Sequence, residues 1–145
     1  MTRNTRLGIV APLSLHPDAA NDLRGLMASD PDAAGKVAAF LQQAKCDPRI
    51  IGSLLDHDFG DNRTEPYHVS KWLEFWNTGF NLWRVKIWTF PKGSLKHRII
   101  YAYQPSTHHY HVLAIVHRDF DYRSDHEITK RVLAAYRSLG ITARY

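Results

Sequence analysis

The second half of the chain is a succession of short segments that are rich in β-branched and aromatic residues. Such residues favour extended strands. The segments are separated by Asn77-Thr78-Gly79, Pro91-Lys92-Gly93-Ser94 and Gln104-Pro105-Ser106, which break strands and favour turns. Short connections of this kind join neighbouring antiparallel strands. The sequence therefore predicts a four-strand antiparallel meander, with strands near residues 67–76, 81–90, 96–103 and 109–118.

The first half of the chain has the pattern of helices. Three segments begin with a proline beside a capping residue, at Pro17, Pro31 and Pro48, and proline is tolerated at the first position of a helix. Apolar residues spaced three and four apart follow each proline, which gives each helix one apolar face. A short strand is predicted near Leu7 to Leu13, before these helices, and residues 61–66 form a polar connection to the meander.

A last helix is predicted after the strands. Ser124 and Glu127 match a capping box, in which a serine and a glutamate three residues later satisfy the first backbone N–H groups. An apolar stripe runs from Ile128 to Leu139, and Gly140 stands where helices commonly end. We therefore expect one α+β domain over residues 1–145, in which a strand and helices precede the four-strand meander and a C-terminal helix.

The composition indicates a folded, basic protein. The chain has 145 residues, 44% of them hydrophobic, which suits a single domain with a buried core. Its formal net charge of +5 favours a polyanionic partner, such as nucleic acid, an anionic membrane surface or an acidic protein. Cys46 is the single cysteine, which excludes an internal disulfide and is compatible with a reducing cytoplasm. We find neither a membrane-spanning run nor a convincing signal peptide, so we expect a cytoplasmic protein without a membrane partner.

Strand periodicity places several cations on one face of the expected sheet. Side chains alternate between the two faces of a strand, so Arg84 and Lys86 point away from the face of Trp83. Neighbouring cations repel each other and do not help a sheet to fold, whereas an anion over that face is attracted by both. Arg98 reaches the same face as Lys86 if their strands pair antiparallel. The plainer alternative is that these cations only keep the sheet face in water.

The last strand ends in a further polar group, with His117, Arg118 and Tyr122 close in sequence. Together with the cations of the other strands, these side chains could converge on one basic concavity that holds an RNA phosphodiester. Cleavage of RNA without a metal requires a base for the ribose 2′-hydroxyl, positive charge around the phosphorane and an acid for the leaving 5′-oxygen. The candidate catalytic residues are Arg84, Lys86, Arg98, His117, Arg118 and Tyr122.

Other residues are expected to bind RNA beside the reacting groups. Trp88 shares the face of Arg84 and Lys86, so it is the best candidate to stack on a base. Three more cations are candidate RNA contacts, namely Lys92, Lys96 and Arg123. His109 and His111 share a strand face, but no carboxylate or cysteine lies near them in the sequence. We therefore expect neither a metal nor another cofactor.

Three segments, in this order, resemble the RelE/ParE toxin superfamily. They are Leu82-Trp83-Arg84-Val85-Lys86-Ile87, His97-Arg98-Ile99-Ile100-Tyr101 and Val112-Leu113-Ala114-Ile115-Val116-His117-Arg118, with Tyr122 following. The resemblance covers roughly residues 7–139 and implies a RelE-like fold. For the RelE-like branch it implies a metal-independent toxin that enters the ribosome and cuts messenger RNA, with Arg98 stabilising the transition state. It also implies a cognate antitoxin protein, through which alone operator DNA would be bound.

The chain departs from the superfamily pattern at several positions. Arg84 stands where a lysine is often found, and an arginine is a poor general base because it stays charged. Our choice of base is therefore Lys86 or His117. His97 also replaces the usual tyrosine before the arginine. Two alternatives stay open on the same fold: a gyrase-directed, ParE-like toxin, and an RNA-binding module that is not an enzyme.

Overall fold

The computed structural model describes residues 12–89 and 93–141. Within these ranges five strands form one sheet, and they are β1 (Leu13–Leu15), β2 (Tyr67–Lys71), β3 (Leu82–Trp88), β4 (Ser94–Gln104) and β5 (His109–His117). Their order across the sheet is β1-β5-β4-β3-β2. Helices lie between β1 and β2, between β2 and β3, and after β5, so the α+β class predicted from the sequence is confirmed.

The sheet is five-stranded and mixed, and so it is not the four-strand antiparallel meander that we expected. Strands β2 to β5 pair antiparallel with their neighbours, but β1 joins the same sheet and pairs in parallel with β5, with Leu13 opposite Tyr110. A parallel pair needs a long connection between its strands, and the helices and the other strands provide it here. The expected strand near Leu7 to Leu13 lies mostly outside the described residues, and β1 extends instead to Leu15.

Three helices follow β1 and begin at the three predicted prolines. In each helix the residue before the proline accepts a hydrogen bond from a backbone N–H of the first turn. The Asp30 carboxylate, for example, accepts from the N–H of Ala33 at 3.2 Å. Such contacts satisfy donors that have no partner within the helix. The helices are α1 (Pro17–Ser29), α2 (Pro31–Cys46) and α3 (Pro48–Ser53), which confirms the prediction.

The strand predicted over residues 67–76 is shorter than expected. It ends at Lys71, and Leu73–Trp76 form a one-turn helix, α4. The aromatic residues of this segment favour a strand, but Trp72 and Phe75 pack edge to face with their ring centroids 5.0 Å apart. In a strand, residues three apart would point to opposite faces, whereas in a helix they lie on the same side. Packing of the two rings in one core therefore overrides their strand propensity.

The C-terminal helix, α5 (Glu127–Ser138), begins at a different cap from the predicted one. Ser124 lies in a turn, and His126 is the capping residue, because its Nδ1 accepts from the N–H of Ile128 at 3.0 Å. The helix ends as predicted, with Gly140 in the left-handed region at φ 71°. No helix in the described ranges is long and apolar enough to cross a membrane.

Helices cover both faces of the sheet. Helices α1, α2 and α3 pack on one face through a core that includes Val37, Val85 and Ile99. Helices α4 and α5 pack on the other face through a core that includes Ile100 and Val132. This second side is named the α5 face. It also carries the cations of β3 and β4, whose side chains point to the same side of the sheet as that of Ile100.

Candidate active site

A cavity of about 210 Å³ opens on the α5 face of the sheet. It is formed by β2, β3 and β4 and by the segment that follows β5. The residues that line it are His68, Ser70, Arg84, Lys86, Arg98, Arg118 and Tyr122. This set is named the basic cavity. It contains every predicted catalytic residue except His117.

Strand pairing brings the cations of the basic cavity together. Lys86 on β3 lies directly opposite Arg98 on β4, so both side chains point to the same face. Arg84 precedes Lys86 by two residues and shares its face. Arg118 follows β5, and its backbone N–H donates to the carbonyl of Lys96 at 2.7 Å, which holds it beside the end of β4. The structure therefore places Arg84, Lys86 and Arg98 on one face, as expected from strand periodicity, and it brings Arg118 from the end of β5 to the same cavity.

The four cations of the basic cavity have no carboxylate partner among residues 12–89 and 93–141. Among the residues that the structure describes, none of the ion pairs includes any of them. Their polar contacts are with neutral acceptors instead. The Arg84 Nε–H donates to Ser70 Oγ at 2.8 Å, and a guanidinium nitrogen of Arg98 donates to the carbonyl of Leu95 at 2.6 Å. The described residues therefore provide no direct ion pair to the charges of these four cations.

Burial and mutual repulsion act on the protonation of Lys86. Removal from water lowers its pKa below the ordinary value of 10.5, and the nearby charges of Arg98 and Arg84 lower it further. Burial also lowers the pKa of Arg98, but an arginine keeps its charge near neutral pH. A lysine in this setting gives up its proton more readily and can act as a base, while the arginines supply fixed positive charge.

Tyr122 closes one wall of the basic cavity. Its backbone lies in the left-handed region at φ 62°, which is uncommon for a residue other than glycine. The ring packs edge to face on Trp72 at 5.1 Å between centroids, and the guanidinium of Arg84 lies 4.8 Å from the ring centre. The Tyr122 hydroxyl is buried, and among the described residues it has no hydrogen-bond partner. A buried hydroxyl without a partner is costly, and a ligand that reaches this group from the cavity would satisfy it.

Trp88 lies on the expected side of the sheet, but protein groups already contact its ring. Lys86 Nζ lies 4.6 Å from the ring centre and the guanidinium of Arg63 lies 4.7 Å from it. The ring of His68 is parallel to it at 6.0 Å, and the indole N–H donates to the carbonyl of Gly60 at 2.8 Å. A base that stacks on Trp88 must therefore displace one of these contacts.

Two residues of the basic cavity were not selected from the sequence, His68 and Ser70. They alternate along β2 with the buried Tyr67 and Val69, and this alternation is the signal that marks them as facing the other side. The β2–β3 register then places His68 opposite Lys86 and Ser70 beside Arg84. The alternation is visible in the sequence. The β2–β3 register, which decides which residues lie beside His68 and Ser70, is not.

The structure does not bring His117 to the basic cavity. The β4–β5 register pairs Arg98 with Val116, so His117 points to the opposite face of the sheet. There it is paired with His97, and the two ring centres are 5.3 Å apart. A group on that face cannot exchange a proton with a phosphodiester that lies in the basic cavity.

The remaining predicted RNA contacts, Lys96, Arg123 and Lys92, differ in their surroundings. Lys96 is exposed two residues before Arg98 on the same face of β4, but it does not line the cavity. Arg123 forms ion pairs with Asp121 at 2.9 Å and with Asp125 at 3.5 Å, which compensate its charge locally. Lys92 lies outside the described residues. Within the described ranges, no three side chains of the metal-binding types (His, Cys, Asp, Glu) are grouped closely enough to hold a metal ion.

Comparison of the chain with protein-family models, with curated proteins and with solved structures found no match. The resemblance to the RelE/ParE superfamily therefore stays a prediction from the sequence.

Proposed function

We propose that the basic cavity binds an RNA phosphodiester and that the chain is a metal-independent endoribonuclease. The observation that carries this proposal is the convergence of four cations in one cavity, where no carboxylate of the described residues forms an ion pair with them. Like charges at close range repel and lower the stability of the fold, and a bound phosphate offsets that repulsion. Arginine is also well suited to phosphate, because its planar fork of N–H groups matches two phosphate oxygens.

The proposed reaction begins at Lys86. As a neutral amine, Lys86 takes the proton of the ribose 2′-hydroxyl, and the 2′-oxygen attacks the adjacent phosphorus. Arg84, Arg98 and Arg118 stabilise the additional negative charge of the phosphorane. The bond from phosphorus to the 5′-oxygen then breaks, which leaves a 2′,3′-cyclic phosphate, and the 5′-oxygen takes up a proton from a general acid to become a 5′-hydroxyl end. The Tyr122 hydroxyl donates to a phosphate oxygen and helps to orient it.

The biological setting that fits this chemistry is a toxin of the RelE-like type that cleaves ribosome-bound messenger RNA in the cytoplasm. This part of the proposal depends on the order of the sequence motifs and on a RelE-like arrangement of the fold. Its partners are then the ribosome, the message and a cognate antitoxin. The lowered pKa of Lys86, caused by burial and by the nearby Arg98 and Arg84, favours an enzyme over a gyrase-directed toxin or a simple RNA-binding module, since neither alternative needs a lysine that transfers a proton.

Induced expression in bacterial cells, with mapping of RNA 5′ ends, tests the proposal. We expect new 5′-hydroxyl ends within translated messages and arrest of growth. Arg98→Ala, Lys86→Ala and Arg118→Ala should each lower cleavage about 10²–10³-fold, because each removes a group that acts on the transition state. The matched control is Lys130→Ala, which removes one exposed cation of α5 outside the basic cavity.

The same experiment separates the proposal from the alternative functions. Toxicity and cleavage that survive all three substitutions would contradict the proposal. DNA damage signalling with intact message would indicate the gyrase-directed alternative, and salt-sensitive RNA binding without cut ends would indicate a binding module. Circular dichroism and thermal unfolding of each variant show whether the fold is intact.

A further inference from the structure

The proposed cleavage needs a proton donor for the leaving 5′-oxygen, and the histidine expected from the sequence, His117, lies on the wrong face of the sheet. His68 is the histidine that lines the basic cavity. We propose that His68, held in place by Asp58, is the general acid of the reaction. This inference depends on the proposed function.

The position of His68 is set by strand pairing. It lies directly opposite Lys86 in the β2–β3 register, so the two side chains rise from neighbouring strands on the same face. Such residues have Cβ atoms about 4.5–5.5 Å apart. The two groups can therefore reach different oxygens of a single phosphodiester. The ring of His68 is also parallel to that of Trp88, which limits its rotation.

The carboxylate of Asp58 contacts the imidazole of His68. The Asp58 Oδ1 lies 3.3 Å from the His68 Nε2, and the His68 side chain is only 18% exposed. Asp58 itself is fixed against β2, because its backbone N–H donates to the carbonyl of Val69 at 2.8 Å. Its second carboxylate oxygen lies 3.5 Å from the Nε2 of His57. Asp58 thus orients the ring and offsets part of the repulsion between an imidazolium and the cations of the cavity.

The proton balance of the reaction is then complete. Lys86 gains the proton of the 2′-hydroxyl as the bond from the 2′-oxygen to phosphorus forms. The imidazolium of His68 gives its proton to the 5′-oxygen as the bond from phosphorus to that oxygen breaks. The enzyme ends with a lysine ammonium and a neutral imidazole. Exchange of one proton with water at each group restores the starting state.

A substrate whose leaving group needs no proton tests this role. Ribosomes are programmed with a short message that carries either the normal 5′-oxygen or a bridging 5′-sulfur at the cleaved position, since a thiolate leaves without protonation. With the normal message, His68→Gln should cleave at least about 100-fold more slowly than the unmodified protein. With the sulfur message, the two proteins should cleave at similar rates. The matched control is His109→Gln, at the far end of β5.

Each other outcome overturns the inference. If His68→Gln cleaves the normal message as fast as the unmodified protein, another group is the acid, and the proposed function stands. If His68→Gln is slow on both messages although its thermal unfolding is unchanged, His68 acts in binding and not in proton transfer. If the unmodified protein cleaves neither message, the proposed function fails together with the inference.

Discussion

Arg131 on α5 and Arg98 on β4 are both partly buried arginines, but their electrostatic settings are opposite. The guanidinium of Arg131 donates to both carboxylate oxygens of Asp22, at 3.0 and 2.6 Å. The same carboxylate accepts the backbone N–H of Ile115 at 3.0 Å, so it connects α1, α5 and β5. Within the described part of the chain, the guanidinium of Arg98 donates to the neutral carbonyls of Leu95 and His97, and it lies among three other cations.

The difference shows how the chain uses its positive charge. Asp22 lies where β5 extends beyond β1, because the β1–β5 pairing ends at Val112. The Asp22 carboxylate therefore satisfies a backbone N–H at the unpaired edge of β5, and it also compensates the charge of Arg131. Among the described residues, none of the cations of the basic cavity forms an ion pair that links two elements in this way, which fits their proposed role in binding an anion from outside the protein.

The largest effect expected from this comparison is a loss of stability when Asp22 is replaced. Asp22→Ala leaves the Ile115 N–H and the Arg131 guanidinium without their acceptor. A buried donor that loses its partner costs about 1–3 kcal/mol, and Arg131, which is 34% exposed, recovers part of its solvation from water. We expect a loss of about 2 kcal/mol in the free energy of unfolding, measured by urea denaturation.

Asp32→Ala is the control for that measurement. Asp32 forms an ion pair with Lys36 within α2, but both side chains are largely exposed. Its removal should cost less than about 1 kcal/mol. Equal losses from the two substitutions would show that the Asp22 pair has no special structural role.

A smaller effect of opposite sign, a gain in stability, is expected when Lys86 is replaced. Because its pKa is lowered in the folded state, the charged amine destabilises the fold at neutral pH. This penalty is fully present below the lowered pKa and disappears as the pH rises towards the ordinary value of 10.5. Lys86→Met should therefore raise the free energy of unfolding by about 0.5 kcal/mol at neutral pH and low salt. The gain should shrink as the pH rises towards that value.

Thermal and urea unfolding of both proteins between neutral pH and mildly alkaline pH would check this expectation. A loss of stability in Lys86→Met at neutral pH would contradict it. That result would mean that the contact of the Lys86 ammonium with the Trp88 ring outweighs the repulsion from Arg84 and Arg98.

Features that depend on local rules were predictable from the sequence. Prolines beside capping residues marked the starts of α1, α2 and α3, and strand periodicity placed Arg84 and Lys86 on one face. The helix α4 was missed because Trp72 and Phe75 favour a strand locally, whereas the tertiary packing of their rings requires a helical turn. The capping residue of α5 was missed because a histidine, His126, takes the role that serines usually have.

Features that depend on strand register were not predictable. Whether Arg98 pairs with Val116 or with its neighbour decides which face His117 occupies, and no local signal fixes that choice. The same holds for His68 and Ser70, since their alternation is visible in β2 but their partners on β3 are not. The basic cavity was thus predictable as a cluster of cations, whereas its histidine was not.

The most direct test of the central claim is a titration of the isotope-labelled protein with a 2′-O-methyl RNA trinucleotide, which cannot be cleaved. Nuclear magnetic resonance follows the side-chain Nε–H signals of the arginines. We expect the signals of Arg84, Arg98 and Arg118 to shift together along one binding curve, while those of Arg123 and Arg131 stay in place. Signals of the cavity arginines that do not move, or that move no more than that of Arg123, would contradict the claim that these cations hold one phosphodiester.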